Sequence, residues 1–201
     1  MLTITDIRAP QLPADGDSRH HCEAALFNQQ VADQAATAMF DALDGRTDTE
    51  CILLKAAAGA GKSYVLKQLV HSVVHHPGTI RVGITAFTNN QIIPLAQDLG
   101  KALGPHQVCL WVSKDRFPTV PAAVRESCTV VGAAKDVPHD AKVLVATSHM
   151  YKWASSHLKK ALLGNPKEDD LFDVLFVDEA WQMAHYLYDE VFSPEWQAGW
   201  W

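Results

Sequence analysis

The chain has 201 residues, 48% of them apolar and 20% charged, which is enough for one well-buried core and small for two. A formal charge of −6 gives no support for a broad nucleic-acid-binding surface, and leaves open only a local groove. No apolar run approaches the roughly 18 residues of a membrane helix, and residues 1–17 lack a basic start followed by an apolar middle, so no span or leader is predicted and the expected compartment is the cytoplasm.

Residues 1–20 are punctuated by Pro10, Pro13, Asp15 and Gly16, which predicts an irregular arm ahead of one domain over residues 21–201. From Asn28, whose side chain suits an N-cap, the residues Val31, Ala32, Ala35, Ala36, Met39, Phe40 and Leu43 repeat on one helical face, and Gly45 marks the stop.

Cys51, Ile52, Leu53 and Leu54 then form an apolar run that ends in a loop of small residues, Ala56 to Gly61. Lys62-Ser63 opens a segment in which Val65, Leu66, Leu69, Val70, Val73 and Val74 track one helical face. Strand, small-residue loop and helix opening on Gly-Lys-Ser make a Walker A loop, with Ala56 where the first glycine usually stands. Gly59 and Gly61 let the loop turn its N–H groups onto phosphate. Lys62 reaches the β- and γ-phosphates, Ser63 offers a hydroxyl to Mg²⁺, and the helix adds the positive end of its dipole. A glycine-rich loop can also join strand to helix with no ligand, but the context on both sides argues for a nucleoside triphosphate. The predicted ligand is ATP with Mg²⁺, contacted by Ala58, Gly59, Ala60, Gly61, Lys62, Ser63 and Tyr64.

Beyond a turn at His75-His76-Pro77-Gly78, residues 80–85 read as a buried strand. A helix follows with Ile92, Leu95, Ala96, Leu99, Ala102 and Leu103 on one face, where Pro94 fits only within the first turn. Residues 108–112 suggest a third strand, and residues 114–140 hold short elements that the pattern does not resolve. Residues 142–147 form a strand. Met150, Trp153, Ala154, His157, Leu158, Ala161 and Leu162 predict a helix stopped by Gly164, and residues 172–177 form a strand ending in Asp178-Glu179. Short apolar strands alternating with amphipathic helices predict an α/β fold, a mainly parallel sheet with helices on both faces. Ligands of such sheets sit beyond the carboxyl ends of the strands, where Ser63, Thr85, Thr147 and Asp178 are all expected.

An apolar strand closed by Asp-Glu is the Walker B arrangement. Asp178 is expected to hold Mg²⁺ opposite Ser63, and Glu179 to orient and deprotonate the attacking water. Cys22, Cys51, Cys109 and Cys128 lie far apart without a C-x-x-C pair, so neither a zinc site nor a disulfide frame is indicated.

The order of these motifs resembles the first RecA-like domain of superfamily 1 helicases, in the branch whose motif II reads D-E-A-x-Q, here Asp178-Glu179-Ala180-Trp181-Gln182. Leu26-Phe27-Asn28-Gln29-Gln30 is similar to the Q motif, which implies that Gln30 contacts adenine. Ile84-Thr85-Ala86-Phe87-Thr88-Asn89 is close to motif Ia, and Ala146-Thr147-Ser148 stands where motif Ic falls. The resemblance implies single-stranded DNA or RNA against Thr85, Phe87, Thr88, Asn89 and Thr147, and a γ-phosphate-sensing role for Gln182 beside the catalytic Lys62 and Glu179. It spans roughly residues 24–185 and departs from the family at Asn90-Gln91-Ile92 and Pro94, where small residues are usual.

Motif III and the second RecA-like domain, with its arginine fingers, do not follow. Such arginines are worth ~10³–10⁵ in rate, so weak or no turnover is expected of this chain alone. Either it is the first part of a longer helicase, which exposed Trp196, Trp200 and Trp201 would suit, or it binds nucleotide as an interaction module without turnover. A P-loop kinase of a small molecule is a further alternative, weakened by the absence of any arginine after Arg125, where an arginine-rich lid would be sought.

Overall fold

A computed structural model of the chain describes residues 4–8, 18–49, 51–55, 61–164 and 171–180. In chain order these form β1 (Ile4–Arg8), α1 (Ser18–Leu43), β2 (Cys51–Lys55), α2 (Lys62–Val74), β3 (Val82–Ala86), α3 (Asn89–Leu103), β4 (Val108–Trp111), α4 (Ala122–Ser127), β5 (Thr129–Val131), β6 (Val143–Thr147), α5 (Ser148–Leu163) and β7 (Val174–Val177). Short 3₁₀ turns at Phe117–Thr119 and Ala134–Asp136 fill the stretch that the pattern left unresolved. The chain forms two compact units that divide between Thr79 and Ile80.

In the first unit β1 and β2 run parallel, Ile4 opposite Cys51 and Arg8 opposite Lys55. Part of the predicted irregular arm is therefore a strand; Pro10 and Pro13 lie after it. The predicted stripes of α1 and α2 are buried at Val31, Ala32, Ala35 and Met39 and at Val65, Leu69, Val70, Val73 and Val74. Because α1 starts at Ser18, Asn28 lies inside it and is not the N-cap. Gly45 does end the helix. At φ +67° it takes the left-handed conformation that glycine adopts without strain. Its N–H donates to the Ala42 carbonyl (3.0 Å) and that of Arg46 to the Asp41 carbonyl (2.7 Å), which satisfies carbonyls the last turn leaves open.

The second unit is built on a five-stranded, wholly parallel sheet in the order β5-β4-β6-β3-β7. Every residue of β3, β4 and β6 is buried, as expected of central parallel strands covered on both faces, and this is why they read as continuous apolar runs. On one face Cys109, Trp111, Leu144, Ala146 and Leu175 pack with Tyr151, Leu158, Leu162 and Phe172. Two glycines permit close approach. A Cβ on Gly83 would lie 2.8 Å from Phe172, and one on Gly100 of α3 would lie 2.0 Å from the Ser127 carbonyl oxygen. The strand entries are tied by Asp173, whose carboxylate accepts the N–H groups of Ile80 (2.7 Å) and Arg81 (2.8 Å).

Two predicted details differ. Pro94 sits sixth in α3, beyond the first turn, and is tolerated because both it and Asn90, whose carbonyl loses its helical donor, face solvent. In α5 the buried face runs through Ser148, Tyr151, Leu158, Lys159 and Leu162, whereas Trp153 is 73% exposed and His157 is exposed. No helix among the described residues is long and apolar enough to cross a membrane.

Candidate functional site

Of the residues expected to form the phosphate loop, Gly61, Lys62, Ser63 and Tyr64 are described, at the start of α2. The strand β2 ends at Lys55, and α2 starts at Lys62 with Gly61 at φ +78° as its N-cap residue. That left-handed backbone is natural for glycine and strained for any other residue. As a glycine, the N-cap residue has no side chain with which to cap the helix. The Gly61 carbonyl accepts the N–H groups of Tyr64 (2.9 Å) and Val65 (3.0 Å), closing the first turn. Lys62 is half-buried, Ser63 is exposed and Tyr64 is 58% exposed, its hydroxyl accepting from Gln68 Nε2 at 2.8 Å. Ala58, Gly59 and Ala60 lie outside the described residues.

From α1, Asn28 reaches the same glycine, its Nδ2 being 3.3 Å from where a Gly61 Cβ would stand. Asn28 was expected as a helix cap and as a member of the stretch similar to the Q motif; it lies instead inside α1. Gln30 is exposed on the same helix.

In the second unit, Thr85, Thr147 and Asp178 come to one edge of the sheet, at or just past the carboxyl ends of β3, β6 and β7. In the first unit Ser63 follows β2, whose partner is β1. The hydrogen-bond ladder between β3 and β7 continues one step past β7, the Asp178 N–H donating to the Thr85 carbonyl at 2.8 Å. Glu179 then turns with φ +52°, the only non-glycine residue with positive φ among those described. Such a conformation is uncommon outside glycine, asparagine and aspartate, and in folded proteins it concentrates at functional sites.

The residues expected to meet nucleic acid divide into two groups. Thr85 is fully buried and shares a 3.1 Å hydrogen bond with Ser148, so its hydroxyl is not presented to a ligand. Thr147 is 7% exposed and caps α5, accepting from the Met150 N–H at 3.4 Å. Thr88 caps α3, its N–H and hydroxyl both donating to Gln91 Oε1 at 2.9 Å. Phe87 and Thr88, after β3, and Asn89, which opens α3, remain half-exposed, and the Phe87 ring packs at 5.4 Å against that of His149 in the first turn of α5. Ser148 was named beforehand only within the stretch at motif Ic and His149 not at all; both follow a strand end, the one signal that could have found them. Gln182 and Trp196, Trp200 and Trp201 lie outside the described residues.

The described residues hold no group of three or more His, Cys, Asp or Glu that could bind a metal. Among the predicted buried thiols, Cys109 and Cys128 are buried and Cys51 is half-buried, and all three are free. Comparison with family models, curated proteins and solved structures returns no match to this chain.

Proposed function

We propose that the chain binds ATP through residues 56–63, as the nucleotide-binding part of a superfamily 1 helicase-like P-loop NTPase. The observation that carries the reading is the start of α2: a strand, a loop of small residues, a left-handed glycine, and then Lys62-Ser63 opening the helix. Lys62 takes the phosphate charge. Ser63 and Asp178 are the residues that would hold Mg²⁺, which when bound neutralises phosphate charge. Glu179 is the general base for water in the complete enzyme, and single-stranded DNA or RNA is the polymer that hydrolysis would act on. The half-exposed residues Phe87, Thr88 and Asn89 support such a contact, since an aromatic face and polar groups suit a single strand.

The test is equilibrium ATP binding and turnover, with and without single-stranded DNA and RNA. Lys62→Ala is expected to lower ATP affinity at least about tenfold, the loss of a charge-assisted phosphate contact. Glu179→Gln is expected to retain binding and to abolish whatever turnover the chain shows. Equal affinity of the wild type and Lys62→Ala would sink the assignment.

A further inference from the structure

Helix α5 turns toward solvent two members of its predicted apolar stripe, Trp153 and His157. His149, Trp153, Ser156 and Lys160 lie along one line of the helix, since spacings of three and four residues stack side chains on one face. The line is about 16 Å long at ~1.5 Å per residue. Trp153 is 73% exposed, Ser156, His157 and Lys160 are exposed, and His149 is half-exposed. At its N-terminal end the line meets Phe87, whose ring centroid lies 5.4 Å from that of His149.

The charges of this helix have one sign. It carries Lys152, Lys159 and Lys160 and no aspartate or glutamate, in a chain whose formal charge is −6. Lys159 is 5% exposed, so Lys152 and Lys160 set the charge on the solvent side of the helix. The Lys152 ammonium stands 5.1 Å from the Trp153 ring centroid, a contact that keeps an exposed indole and a cation side by side. A lone exposed apolar side chain needs no explanation. Rings and cations in one line, on a helix without acids, match a polymer that carries planar faces and negative charge together. A duplex keeps its bases stacked on one another, and an acidic peptide has charge without planar rings; a single strand offers both.

We propose that the solvent face of α5, from His149 through Trp153 to Lys160, binds single-stranded nucleic acid. Trp153 is the platform on which a base stacks, and Lys152 and Lys160 meet phosphates on either side of it. The reading given above placed such a strand only at Phe87, Thr88 and Asn89. The new surface rests on that choice of partner and carries the contact from the sheet edge along the helix.

The experiment is binding of fluorescein-labelled oligo(dT) of about twelve nucleotides to the full chain, read by fluorescence anisotropy in EDTA without ATP. Binding is compared among variants whose thermal unfolding matches the wild type. Trp153→Ala is expected to weaken binding about tenfold, the loss of one stacked base, while Trp153→Phe stays within about threefold of the wild type. Lys160→Gln is expected to reduce the steepness of log affinity against log salt by about one, whereas Lys101→Gln, an exposed position on α3, leaves it unchanged. Wild-type affinity in Trp153→Ala, an unchanged salt dependence in Lys160→Gln, or poly-glutamate binding as tightly as oligo(dT) overturns the proposal. No binding by the folded wild-type chain overturns it as well, together with the nucleic-acid partner. Loss of binding in Phe87→Ala with wild-type binding in Trp153→Ala confines the strand to the sheet edge, which overturns the proposal and leaves the earlier reading standing. Because ATP is absent throughout, failure of the nucleotide reading, seen as equal ATP affinity in Lys62→Ala and wild type, leaves this test intact.

Discussion

A β-carbon at Gly83 would stand 2.8 Å from Phe172 Cδ2 and 2.9 Å from Leu175 Cδ1, closer than packed carbons come. Phe172 is 2% exposed and belongs to the core, so it has little room to yield. Gly83→Ala is expected to lower unfolding stability by about 1–3 kcal/mol in a denaturant titration; a loss under about 0.5 kcal/mol would show that the core repacks freely. At this scale the sequence was most legible where chemistry is local. Gly61, Lys62 and Ser63 are consecutive, and so are Asp178 and Glu179, so spacing alone singles them out. Thr85 illustrates what spacing cannot show. Its place in a motif suggested a ligand contact, while its partner Ser148 lies 63 residues away and is set by the β3–β6 register. The positive φ of Glu179 is likewise invisible in a sequence, because the residue type argues against it.

Helix α5 separates two ways of reading an amphipathic pattern. Tyr151 precedes Leu158 and Leu162 at spacings that a helix brings onto one face, whereas Trp153 falls toward the opposite face from them, yet it was Trp153 that was expected inside. Tyr151 is 2% exposed, its hydroxyl donating to the Leu144 carbonyl at 2.8 Å and its ring edge-on to Trp111 and Phe172. Trp153 stands in solvent beneath the Lys152 ammonium, 5.1 Å from its ring centroid. The tyrosine wins because a phenol can satisfy its hydroxyl on a strand carbonyl while the ring fills the core. Tyr151→Ala is therefore expected to cost about 3–5 kcal/mol. Trp153→Ala should stay within about 0.5 kcal/mol, as surface changes do. Comparable losses for the two, by thermal or chemical unfolding, would contradict the assigned face. The strands β3, β4, β6 and β7 were legible as apolar runs, whereas β1 was not, since Ile4-Thr5-Asp6-Ile7-Arg8 is short, half polar and close to prolines.

At the scale of the whole molecule, the α/β class followed from the alternation of strands and helices, but strand order did not. Nothing in the periodicity places β6 between β4 and β3, or puts β2 in a sheet with β1. Burial also gives the fold a signature in alkali. It pushes the Cys109 thiol from its ordinary 9.0 up to about 12 and the Cys128 thiol up to about 11, and it raises the Tyr151 phenol as well. The folded chain keeps these protons after the unfolded chain has released its own. Their contribution to stability is complete below about pH 9 and is lost as pH rises toward about 11 to 12. Replacing both cysteines with alanine should flatten the fall in stability between about pH 9 and 11. An unchanged slope would mean that other groups govern it.

The central claim is that Lys62 and the loop before it hold a nucleoside triphosphate, and titration of the wild type and Lys62→Ala with ATP and Mg²⁺ tests it most directly. The account predicts saturable binding by the wild type, at least about tenfold weaker in Lys62→Ala. Identical binding curves, or no binding by the folded wild-type chain, would contradict it.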